Sequence, residues 1–160
     1  MEINFKGALS KDEYIKALKL HYPYKKLRPL LIIFIPLMIL AVVINFSTNR
    51  EISYFFLFLI FYYIFFLVRT KYRIKKYWNQ CKAIKEYRSG VVSEQGIAVS
   101  GETWNSNETW DYFVKHKLSP EMVLIYETSF AMHIFPRSFF ENDNDWESFI
   151  QIVKNKVPSK

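Results

Sequence analysis

The sequence predicts an α+β protein in two parts: a two-helix transmembrane hairpin, and a small β roll closed by a C-terminal helix. Three observations predict it. Two long apolar runs, LLIIFIPLMILAVVINF (30–46) and ISYFFLFLIFYYIFFLV (52–68), contain no charged side chain. From Ser89 onward the pattern changes to short alternating runs separated by polar turns. Near the end, Trp146, Phe149, Ile150, Val153 and Val157 recur at helical spacing. The chain of 160 residues has room for one ordinary domain beside the hairpin. Four segments follow: an N-terminal strand and interfacial helix (1–29), the hairpin (30–68), a basic juxtamembrane helix (69–88) and a C-terminal domain (89–160).

Each apolar run is about 17 residues, so roughly 25 Å as a helix against roughly 30 Å of hydrocarbon. Flanking Tyr24, Lys26, Arg28, Arg69 and Tyr72 reach the interface and extend the effective length. A soluble domain this small has too little surface to cover both faces of two such helices. A cleaved signal peptide does not fit either, because a second span follows the first at once. The link Ser47-Thr48-Asn49-Arg50-Glu51 suits a tight helical turn. Pro36 and Asn45 are tolerated in a membrane helix and carry no functional signal alone.

Charge gives the orientation. The net charge is +7, unevenly spread. Residues 1–29 hold seven Lys/Arg against three Asp/Glu, and residues 69–88 hold eight against one. The link is neutral, and residues 89–160 hold six Lys/Arg against ten Asp/Glu. By the positive-inside rule both termini are cytoplasmic. Lys25, Lys26, Arg28, Arg69, Lys71, Arg73, Lys75 and Lys76 are the expected contacts with anionic headgroups. The aromatic-rich basic stretch is read as a membrane-surface helix rather than a nucleic-acid patch, with Ile74, Tyr77, Trp78, Cys81 and Ile84 on its apolar face.

In the N-terminal arm, Ile3 and Phe5 alternate with Asn4 and Lys6 as in a strand. Ser10 and Glu13 form a capping box that starts a helix running to about Leu20. Tyr14, Ile15 and Leu18 share a face, which predicts an interfacial helix ended by Pro23 and Pro29.

In the C-terminal domain, Val91-Val92 and Ile97-Ala98-Val99 flank a turn in which Gly96 is expected to take positive φ. The middle of GETWNSNETW, Asn105-Ser106-Asn107, reads as a hairpin loop with Asn in the left-handed region. Trp110, Phe113 and Val114 mark a short helical turn. Met122–Tyr126 and Phe130–Phe135 form a second hairpin, with Met132 and Ile134 on one face and His133 and Phe135 on the other. The final helix is read as capped by Asn144 with Glu147, and Pro136 ends the strand before it.

In order and spacing, these features resemble the YcxB-like family of bacterial membrane proteins. The matching residues are the Phe5 strand, the Ser10–Tyr14 helix start, the two spans, SEQGIAVS, Trp110 with Phe113-Val114, and IFPRSFF. The resemblance implies a pleckstrin-homology-like C-terminal domain and residence in the bacterial cytoplasmic (inner) membrane. Ser138 stands where a second basic residue is common in that family. The resemblance carries no activity with it.

The expected function is a membrane-anchored, non-catalytic interaction or regulatory module, with a cytoplasmic domain that binds a protein or peptide. Trp104 and Arg137 are its candidate interaction surface. Lipid-headgroup recognition by the C-terminal domain is the alternative, opposed by that domain's negative charge. A small oligomeric, transport-associated membrane protein is the second alternative, since uncharged spans need partners to enclose a polar path. No nucleophile–base pair, metal spacing or glycine-rich phosphate loop is visible, so no enzyme activity, catalytic residue, cofactor or metal is expected. His21, His116 and His133 are scattered, and His133 reads as a half-exposed strand residue. Glu141, Asp143, Asp145 and Glu147 are read as helix-start charges, and Cys81 as a buried thiol with no disulfide partner. The expected partners are anionic lipids and an unknown protein, with no nucleic acid; a homo-oligomer stays open.

Overall fold

The computed structural model describes residues 2–21, 28–45, 50–129 and 131–159. The chain folds as two compact units, 1–22 with 81–160, and 23–80. Expectations for Lys25, Lys26, Pro23, Tyr24, the Ser47–Asn49 link and Phe130 fall outside the described residues.

The inserted unit contains α2 (Arg28–Asn45) and α3 (Arg50–Gln80), which pack on one another. Pro36 lies inside α2. The helix α3 continues without a break from the apolar run into the basic stretch. The expected basic helix 69–88 is shortened at its end. A brief α4 (Lys82–Lys85) follows Cys81, and Tyr87 and Arg88 already belong to a strand. β-Ladder pairing takes those two residues away from the helix.

The other unit is α+β. Its first sheet has the order β1-β2-β3-β4, built from Ile3–Ala8, Tyr87–Val92, Gly96–Ser100 and Asn105–Thr109. The second has the order β5-β6-β7, from Lys115–Ser119, Met122–Tyr126 and Met132–Pro136. All neighbouring strands are antiparallel. The terminal helix α5 spans Asp143–Lys156. An aromatic cluster ties these parts together. Phe5 of β1 meets Phe135 of β7 edge-on at 5.3 Å, Phe135 meets Phe149 of α5 at 5.2 Å, and Phe149 stacks on Phe140 at 4.9 Å. Off-set and edge-on pairs of this kind add to the gain from burial itself.

Gly90 makes room for Phe5. A Cβ at that position would come within 2.5 Å of the Phe5 ring and 2.1 Å of the Ala98 carbonyl oxygen. Gly96 needs its missing side chain for a similar reason and not for its φ. No described residue has positive φ, and a Cβ on Gly96 would lie 2.1 Å from the Glu108 carbonyl oxygen. Close approach of β3 to β4 therefore replaces the expected left-handed turn. The same correction applies at GETWNSNETW. Asn105-Ser106-Asn107 is strand β4, and the turn is Gly101–Trp104, closed by the Gly101 N–H on the Trp104 carbonyl at 2.8 Å.

The N-terminal helix α1 (Lys11–His21) is not free to lie on a membrane by its apolar face. Tyr14 and Ala17 are buried, and Ala17 with Leu20 packs on Met122, Leu124, Tyr126, Met132 and Ile134 of the second sheet. Lys117 of β5 donates to the last carbonyls of α1, Leu20 at 3.2 Å and His21 at 2.7 Å. His21 Nδ1 lies 2.9 Å from the Tyr126 hydroxyl, whose pKa burial pushes up to about 12. The strand β6 is thus covered on both faces, and all five of its residues are buried. The β7 faces are as the alternation predicts: Met132 and Ile134 turn to α1, while Phe135 turns to the aromatic core.

The capping box forms as expected. Glu13 accepts from the Ser10 amide at 2.9 Å, and Ser10 Oγ accepts from the Glu13 amide at 3.3 Å. Ser138, at the corner before α5, donates to the other Glu13 oxygen at 2.5 Å. The cap of α5 lies two residues earlier than expected. Asn142 accepts from the Asp145 amide at 2.8 Å, and its own amide donates to the Asp145 carboxylate at 2.9 Å. Two pairs three residues apart compete in this stretch, and burial of Trp146 and Phe149 sets the phase that selects the earlier one. Within the stripe Ile152 is buried, whereas Ile150 is only half-buried.

Burial raises the Glu13 pKa, but hydrogen bonds from Ser10 and Ser138 outweigh it, and the net shift is below the usual 4.5. The resulting stability is present above that value and is lost as pH falls through the lower folded pKa. Glu13→Gln should therefore flatten the acid limb of a stability–pH curve below about pH 4.5. Ser10→Ala should cost about 1 kcal/mol in urea unfolding of the full chain in detergent. Gly90→Ala should cost roughly 1–3 kcal/mol in the same measurement, since both the β3 backbone at Ala98 and the Phe5 ring must shift.

Candidate functional site

Two arrangements in the sheet-and-helix unit have the geometry of a site, and both depend on β4. The first is a trough on the outward face of the four-stranded sheet, about 670 Å³ in volume. The ladder registers generate it. Asn4, Val91, Ala98 and Asn107 form one row across the four strands, and Lys6, Ser89, Ser100 and Asn105 form the next. The middle of each row carries small side chains, so the floor is low. Amides and the Lys6 ammonium stand at the rims. Ser100 Oγ donates to Asn105 Oδ1 at 2.6 Å, and Lys6 pairs with Glu141 at 2.7 Å. That pair raises the Lys6 pKa and lowers the Glu141 pKa. The chemistry offered is neutral hydrogen bonding, with one ion pair at the edge. The strand β4 is also an edge, with β3 as its one ladder partner among the described residues.

The second arrangement lies on the opposite face of β4. Ser106 and Glu108 turn inward there, opposite Val99 and Ile97. Glu108 Oε2 lies 3.2 Å from His133 Nε2 of β7, and Glu127 Oε1, just past β6, lies 2.5 Å from the same nitrogen. The three side chains are 13–24% exposed. The other Glu108 oxygen accepts from the Ser106 hydroxyl. The His133 ring is held by Phe113, edge-on at 5.8 Å, and by Phe135, stacked at 6.2 Å. Its Nε2 is shut off from solvent, and neither nearby carboxylate meets it with hydrogen-bonding geometry.

The residues singled out by sequence have other settings. Trp104 is half-buried in the β3–β4 turn, with the Arg88 guanidinium 5.6 Å above its ring. Arg88 also donates to the Ala83 carbonyl at 3.0 Å, and burial lowers its pKa. Arg137 pairs with Asp143 at 2.5 Å, and its backbone N–H donates to the Glu121 carbonyl at 3.0 Å. Both are held by neighbours in their own corners. Arg69, Arg73, Lys75 and Lys76 are exposed on α3; Lys71 lies on the same helix, and Arg28 opens α2. His116 is a buried, satisfied core histidine, with Nδ1–H donating to the Val157 carbonyl at 2.8 Å. His133 lies in a strand as expected, but its side chain is 13% exposed and faces two carboxylates. Strand parity could have located it and Glu108, had β4 been read as a strand rather than a loop.

Trough residues should be separable from the fold. Asn4→Ala and Asn107→Ala should each change the unfolding free energy by no more than about 0.5 kcal/mol. Phe135→Ala, from the core, should cost roughly 3–5 kcal/mol. Urea unfolding of the full chain in detergent measures all three. A loss of several kcal/mol at Asn107 would make it a structural residue. Compared with protein-family models, curated proteins and solved structures, the chain matches none.

Proposed function

We propose that the chain is a membrane-anchored interaction module. It crosses the bacterial cytoplasmic membrane twice, keeps both termini in the cytoplasm, and there binds a protein or peptide without chemistry of its own. The apolar helices suggest the anchoring, and one further observation sets the parity of its crossings. Residues 1–22 and 81–160 build one compact unit, and 23–80 are inserted between them. A chain whose two flanks fold together leaves and returns on the same side of a membrane, so its crossings are even in number. Among the described residues Tyr54–Gln80 is long and apolar enough to cross, and Ile35–Ile44 is a shorter apolar helix. The full run 30–46 is the matching return span. Lipid is the medium that suits α3, where Phe58, Phe61 and Tyr62 are 58–69% exposed. The exposed basic residues after this run then lie at the cytoplasmic headgroups.

Two antiparallel sheets closed by a C-terminal helix support the pleckstrin-homology-like reading that came with the resemblance to the YcxB-like family. The trough supports a peptide as the ligand. Neutral amides and hydroxyls in two rows suit the backbone and side chains of an extended segment, and β4 offers a free edge for it to pair with. A polyanionic headgroup would find only Lys6 there, already paired with Glu141.

In a Cys81→Ser background, cysteines at Glu2 and Ser159 should react with an impermeant reagent from the cytoplasmic side, and one at Thr48 from the opposite side. Reaction of Glu2→Cys and Ser159→Cys from opposite sides would contradict the anchoring. A photo-crosslinking residue at Asn107 should capture a defined protein in native membranes, while the same residue at exposed Asp111 should not. Equal capture at both positions would remove the trough as the interaction surface.

A further inference from the structure

We propose that Glu108, Glu127 and His133 bind one divalent ion of the zinc class, which fastens the edge of the first sheet to the edge of the second. This goes beyond the interaction role and does not depend on it. The three ligand atoms all lie within 4.8 Å of one another. His133 Nε2 stands 2.5 Å from one carboxylate oxygen and 3.2 Å from the other. An ion about 2.0–2.2 Å from each donor holds those donors roughly 3–3.5 Å apart. Small side-chain rotations therefore complete the set.

The state without an ion is poorly satisfied. Nε2 is buried and has no hydrogen bond, although two carboxylate oxygens crowd it. A proton on Nε2 points along one direction and serves one oxygen at most. A metal ion accepts lone pairs from all three directions at once. A divalent cation would also meet both half-buried carboxylates at one point. The donor set selects the ion class: one imidazole and two carboxylates suit zinc, whereas calcium and magnesium prefer oxygen throughout.

The surroundings fix the ligands as outer-shell groups do in metal sites. Phe113 and Phe135 hold the imidazole plane, and the Ser106 hydroxyl occupies one Glu108 oxygen so that the other faces His133. The carboxylates at the start of the terminal helix are engaged otherwise: Glu141 by Lys6, Asp143 by Arg137 and Asp145 by Asn142. The ligands come from β4, the end of β6 and β7. Binding therefore adds a cross-link between the sheets, and its free energy appears as stability.

The test uses the chelator-stripped full chain in detergent, titrated with zinc chloride and separately with cobalt chloride. One equivalent of zinc should bind and raise the melting temperature, and cobalt should give visible ligand-field absorption. H133N, E108Q and E127Q should each weaken zinc binding at least tenfold, while E141Q and H21N should not. Circular dichroism before titration checks that each variant is folded, and if H133N is not, the isosteric E108Q and E127Q carry the test. Absence of a zinc response, an undiminished response in the ligand variants, or an equal response to magnesium or calcium would overturn the proposal.

Discussion

Ile3 to Ala8 pair in antiparallel register with Val92 to Tyr87, across the whole inserted segment, and the sheet-and-helix unit is built on that ladder. Ile3 and Phe5 are almost fully buried, and Phe5 is the first sheet's contact with Phe135 and Phe140. Bringing strands so distant in sequence together costs loop-closure entropy, which grows only slowly with loop length. Burial of Ile3, Phe5 and Leu9 opposes that cost. The α1 helix follows β1 onto the second sheet, and the corner before α5 returns to β1 and to Glu13. The N-terminal arm is thereby part of the fold, and the two flanks of the inserted segment are held together.

Much of this was legible locally. The Ser10–Glu13 box, the Met122–Tyr126 strand, the short turn at Trp110 and the apolar stripe of α5 are each set by neighbours a few residues apart. Three things were not. The partner of β1 lies beyond the inserted segment, where no local periodicity points to it. The face that α1 buries does not show in a hydropathy pattern, because Ala17, small enough to approach Leu124 and Tyr126, carries little weight there. The strand β4, NSNET, has the composition of a loop, and only pairing with β3 makes it a strand.

That last residue run decides the candidate sites. Once β4 is a strand, its alternation sends Asn105 and Asn107 outward to the trough and Ser106 and Glu108 inward to His133. A five-residue edge strand thus carries the rim of one arrangement and a ligand of the other. Gly96 permits the close β3–β4 approach on which both registers rest. Trp104 and Arg137, conspicuous as lone residues, are instead held by Arg88 and Asp143.

Hydrogen–deuterium exchange on the full chain in lipid nanodiscs tests the central ladder most directly. The β1–β2 account predicts that amides of residues 3–8 exchange as slowly as those of residues 87–92, and that both are released together as denaturant is raised. Rapid exchange across residues 3–8, with residues 87–109 still protected, would contradict it: the sheet would then stand without its N-terminal strand, and the two flanks of the inserted segment would not be tied together.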